Sequence, residues 1–122
     1  MIRFLPVAIA ALIATPLAAQ PNAQPGPQLS LEHRMLLRCS AVFALVATRQ
    51  AAGDPEALGY PPLKEKGTEF FVRASARVMD EARLDRTQIA QALTAEAQTL
   101  ARPGALTPMM PACLGALEAA GL

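Results

Sequence analysis

Any chemistry in this chain would have to start from three residues: its single histidine, His33, and its two cysteines, Cys39 and Cys113. A nucleophilic site needs a hydroxyl or thiol beside a base that a third group orients. His33 is the one imidazole that could serve, and no partner is marked around it; no serine sits in a nucleophile-elbow context. The cysteines form neither a Cys-x-x-Cys pair nor a Cys-x-x-Cys-His run, which excludes a thioredoxin-type redox pair and covalent haem attachment in their usual forms. Met109, Met110 and Cys113 lie close enough in sequence to offer soft ligands to Cu(I), but only with a free thiol. Thioether side chains more often fill a core. The acids are scattered, and Asp80 and Glu81 occupy adjacent helical positions that do not face each other. Gly53, Gly59 and Gly67 fall at turns and a helix start rather than in a phosphate-cradling loop. Arg34, Arg38 and Arg49, joined by Arg73 and Arg77, could gather an anion; the plainer reading is a solvated face balanced by acids. His33 reads as a solvated helix residue. No catalytic, cofactor or metal site is therefore predicted, and the cysteines are assigned to a structural bridge.

Compartment decides that assignment. Residues 1–19 hold Arg3, an apolar run from Phe4 to Ala14 and a small-residue end at Ala18-Ala19, the pattern of a secretory signal peptide. The run is 11 residues, well short of the roughly 20 a membrane-spanning helix needs. Cleavage after Ala19 is expected, with no stable membrane span left and the product periplasmic or secreted. Removing Arg3 takes the 11 basic residues to 10 against 10 acidic ones, a formally neutral chain. Such a chain has no net field to attract nucleic acid, so no nucleic-acid partner is expected. In an oxidising compartment Cys39 and Cys113 should pair. A loop of about 75 residues closed this way is worth roughly 4–4.5 kcal/mol in the chain-entropy account.

The elements that would position these residues are helical. Hydrophobic residues make up 52% of the chain and aromatics only 4%, with alanine and leucine dominant, a composition that favours helix over sheet. Residues 20–28, with three prolines and a glycine, read as a polar flexible leader, and residues 29–122 as one helical domain. A first helix is predicted from Leu31 to about Ala52, capped by Ser30 and stopped by Gly53. Met35, Leu36, Cys39, Val42, Phe43, Val46 and Ala47 form its apolar face. Leu37, Ala41 and Leu45 fall outside that face, to meet a second helix or to form an exposed strip. After a connector at 53–62, with one short turn capped by Asp54, a second helix is predicted from Leu63 to Arg83. Gly67 weakens its start enough to allow a beginning at Thr68. Its stripe is Phe71, Ala74, Val78 and Ala82, with Phe70 beside it. Asp85 and Gln88 have capping-box spacing, and Leu84 with Ile89 forms a hydrophobic staple, so a third helix runs from Arg86 to about Ala101. Thr107-Pro108 opens a fourth, ending near Ala120, with Cys113, Leu114 and Leu117 inward. The expected fold is all-α: a small four-helix bundle closed by one disulfide between the first and last helices.

In plan this chain resembles small periplasmic helical proteins, the HdeA-type acid-stress chaperones and the periplasmic immunity proteins. The shared features are the signal segment, Cys39 in an apolar first helix, and Thr107-Pro108 leading to Ala112-Cys113. The resemblance implies a protective or inhibitory role toward another envelope protein. A non-enzymatic protein-binding or protective module is thus the leading expectation. The alternatives are a carrier of a small apolar ligand or a metal ion, an enzyme with an unrecognised site, and a structural envelope component.

Overall fold

The computed structural model describes residues 29–122; the signal segment and the leader lie outside the described residues. The order is α1 (Leu31–Ala51), α2 (Pro55–Leu58), α3 (Lys64–Ala82), α4 (Arg86–Leu100), then a 3-10 turn (Thr107–Met109) leading into α5 (Met110–Ala119). No strand occurs among the described residues. No helix among them is long and apolar enough to cross a membrane.

The predicted caps form as hydrogen bonds. Ser30 Oγ accepts from the His33 amide at 3.0 Å and opens α1. Asp54 Oδ1 accepts from the Glu56 and Ala57 amides and holds α2. Asp85 and Gln88 complete their capping box reciprocally at 2.8 and 2.9 Å. These side chains satisfy amides that a helix start leaves without a partner. α1 ends at Ala51, and Gly53 just beyond it takes a φ of +78°, the left-handed conformation that a side chain resists.

α1 lies at the centre and touches each of the other helices. Its burial is accordingly wider than one stripe. Leu37 and Ala41 are buried and Leu45 is half-buried, so the exposed strip allowed by the sequence does not form. A helix with neighbours on several sides needs more than a 100° apolar face. The core falls into two clusters. One surrounds the Cys39–Cys113 disulfide with Val42, Phe43, Leu63, Phe70, Met110 and Leu117. The other joins Leu37, Val78, Leu84 and Ile89, which places the Leu84–Ile89 staple inside a core.

α3 departs from expectation at its start and in its buried face. It runs unbroken through Gly67 from Lys64, and its buried stripe is Leu63, Gly67, Phe70, Ala74 and Val78. Phe70 is the core aromatic, edge-on to Phe43 with ring centroids 5.2 Å apart. Phe71, read from sequence as the core residue, is instead 38% exposed. Gly67 causes the exchange: a Cβ there would lie 2.9 Å from the Cβ of Phe43. The missing side chain lets α1 and α3 approach, and the stripe passes through the glycine rather than starting after it.

Candidate functional site

The disulfide is the one predicted site that forms as a unit. α1 presents Cys39 and α5 presents Cys113 to the same core, and both are buried. With its sulfur joined to Cys39, Cys113 has no thiolate to offer beside Met109 and Met110. Among the described residues, no three histidines, cysteines or acids gather where they could hold a metal ion.

His33 is not the solvated residue the sequence suggested. Its side chain is only 13% exposed, and Nε2 lies 2.7 Å from Glu81 Oε2. The first turn of α1 leans on the last turn of α3, which brings the two together. Arg77 extends the cluster: its Nη2 lies 2.7 Å from Glu32 Oε1, and its Nε donates to Glu81 Oε1 at 2.9 Å. Glu81 thus gives one oxygen to His33 and the other to Arg77, and these hydrogen bonds, from His33 first and then Arg77, hold its carboxyl below the usual range. A histidine oriented by an acid is part of a nucleophilic triad. Here no third member joins them among the described residues: the Ser30 hydroxyl accepts from the His33 backbone amide, and no hydroxyl donates to the ring.

The arginines do not converge on an anion patch. Arg38 pairs with Glu96 at 2.7 Å, Arg49 with Asp54 and Glu56, Arg73 with Glu69, and Arg77 with Glu32 and Glu81. Arg73 also donates to the Ala120 carbonyl at the end of α5, so it clamps one helix to another. Asp54 is held below the usual carboxylate range, first by the Ala57 amide and then by Arg49.

A cleft not foreseen from the sequence lies between α1, α3 and α4. Two adjoining depressions of about 270 and 230 Å³ share Ser40, Ala44 and Phe71. α1 supplies a floor of small residues, α3 supplies Phe71 as the wall between the depressions, and Leu93 and Ala97 of α4 close the far side. The Ser40 hydroxyl donates to the Leu36 carbonyl at 2.8 Å, so the floor carries no unpaired donor. Lys64 is the only charged residue of the lining. Val72, next to Phe71, is 54% exposed. The signal for this was the Phe70-Phe71 doublet, since two adjacent helical residues cannot both face one core.

Compared with known proteins, the chain matches no family model, no curated protein and no solved structure.

Proposed function

We propose that this chain is an exported, non-enzymatic protein-binding or protective module. The observation that carries this reading is the cleft at Phe71. The partly exposed ring of Phe71 lines both hollows, whose walls are apolar and carry one cation. Contiguous exposed apolar surface bounded by polar residues is characteristic of surfaces that bind another chain. The hollows are small, each sized for a side chain or two rather than for a cofactor. With Lys64 as the one charge, the fitting occupant is an apolar segment of a partner envelope protein with an acidic residue next to its anchoring side chain. Export is supported by the pattern of residues 1–19 and by a buried disulfide, which belongs to oxidising compartments.

The test uses two synthetic peptides with the same apolar core, one flanked by aspartate and one by lysine. The acid-flanked peptide should bind more tightly and shift the resonances of Ala44, Phe71 and Leu93. Phe71→Ser should weaken it about tenfold or more, equivalent to about 1.4 kcal/mol. Equal affinity for both peptides, or binding indifferent to Phe71→Ser, would sink the reading. Because Phe71 is partly exposed, its replacement leaves the core in place.

A further inference from the structure

A second cleft, of about 500 Å³, opens beside the first toward the C-terminal end of α1. Three elements meet there: the last turns of α1, the short α2, and the 101–107 turn that follows α4. Its volume falls within the range of small-molecule sites, about 300–1,000 Å³. Leu45, Leu100 and Leu106 give it an apolar floor, and Leu100 and Leu106 are themselves buried, so that floor is anchored in the core.

The polar groups around the floor can be accounted for one at a time. The Thr48 hydroxyl donates to the Ala44 carbonyl at 2.9 Å. The Thr107 hydroxyl donates to Glu56 Oε1 at 2.9 Å. Glu56 Oε2 takes Arg49 Nη2 at 3.4 Å, and Arg49 Nε donates to Asp54 Oδ2 at 2.9 Å. These groups satisfy one another. Arg102 stands apart: its guanidinium makes no side-chain hydrogen bond or ion pair among the described residues. The cleft therefore combines an apolar floor with one uncommitted cationic fork. A guanidinium matches one carboxylate in bidentate fashion. A dianion would meet Glu56 across the same opening, and a cationic ligand would meet Arg102.

We propose that this cleft binds a small amphipathic monocarboxylate, its hydrocarbon part on Leu45, Leu100 and Leu106 and its carboxylate on Arg102. The site borders the Phe71 cleft at Leu45, which lines both, but its Leu100, Leu106 and Arg102 lie outside that cleft, and it does not depend on Phe71. The probe is octanoate, with octanol and octylamine as matched controls, titrated into the isotopically labelled, disulfide-bonded protein. Octanoate should shift the methyl signals of Leu45, Leu100 and Leu106 and bind at least tenfold more tightly than octanol or octylamine. Arg102→Gln should bring octanoate down to the octanol level, and since Arg102 is exposed on a turn the fold is kept. Phe71→Ser should leave octanoate binding unchanged. Equal affinity for octanoate and octanol, no binding of octanoate, an Arg102→Gln protein with undiminished octanoate affinity, or shifts gathered at Phe71 would each overturn the assignment.

Discussion

The two halves of α1 are held by different physics. Its part from Cys39 onward, Cys39 to Val46, is tied covalently to α5 and packed with aromatics: Phe43 against Phe70, with Met110 and Leu117 in the same cluster. Its N-terminal half rests on four aliphatic residues, Leu37, Val78, Leu84 and Ile89, with an ionic rim of Glu32, Arg77, Glu81 and His33 outside. The difference follows the elements that each half must hold. α5 is ten residues long, too short to be a stable helix without tertiary support. α3 and α4 are longer, are joined by the staple and capping box at Leu84–Gln88, and stay together with smaller contacts. The molecule is fastened by a covalent bond where its last helix is short, and by packing and charge where its longer helices are joined by a tight turn.

Removing the bridge should have the largest effect on this asymmetry. The bonded cysteines are 74 residues apart, and opening such a loop costs about 4.5 kcal/mol in the chain-entropy account. At roughly 4–8 °C per kcal/mol for a domain of this size, reduction should lower Tm by about 20 °C or more. In hydrogen exchange under mild conditions, amides of α5 should lose protection before those around Val78 and Ile89. Simultaneous loss at both ends would show that the two halves form a single cooperative unit and remove the distinction.

A second, smaller effect is concentrated at Gly67. An alanine methyl there would lie 2.9 Å from Phe43 Cβ, and neither atom can rotate aside because both are bound directly to backbone. α1 and α3 would have to separate, a strain of about 1–3 kcal/mol. That outweighs the ~1 kcal/mol of helix propensity that alanine adds. Gly115 in α5 is the control, since a Cβ there meets nothing within 4 Å. Gly67→Ala should lower the midpoint of urea unfolding, and Gly115→Ala should raise it by a few tenths of a kcal/mol to about 1. A stabilised Gly67→Ala protein would mean that the aromatic half is less tightly packed than these distances require.

Structure set by local rules is legible in the sequence. Ser30, Asp54, Asp85 and Gln88 form the caps their types and spacing predict, because a cap depends on residues within one turn. The pairing of Cys39 with Cys113 was legible because two cysteines on inward faces have one way to pair. The errors all involve a second helix. Gly67 was read by its propensity, whereas its role is the approach of Phe43 from another element. Phe71 was assigned inward for the same reason. His33 was read as solvated because Glu81, 48 residues later, could not be placed beside it. Neither cleft was legible, because each is bounded by three elements and no single helix face describes a hollow between them.

The smallest effect, and the sharpest probe of the ionic half, comes from acid. Glu81 is the hub of the rim, facing His33 from α1 and Arg77 from α3, with Glu32 bound to the far side of Arg77. Its carboxyl is held below its ordinary value, so the folded state binds its proton less readily than the unfolded state does. The stability this contributes is present above the ordinary carboxylate range, about pH 4.3, and is lost as pH falls through the lower folded value. Glu81→Gln should therefore lower Tm at neutral pH by less than either change above, since these groups are partly exposed and solvent and salt screen them. The gap between wild type and variant should close as pH drops below the carboxylate range, and should narrow in high salt. Asp54 is also held low and acts over the same window in the other half, so the total acid response of the wild type does not isolate the rim. Only the difference between wild type and Glu81→Gln does so. A gap independent of pH and salt would mean that Glu81 acts through packing, and that both halves of α1 are held by the same kind of force.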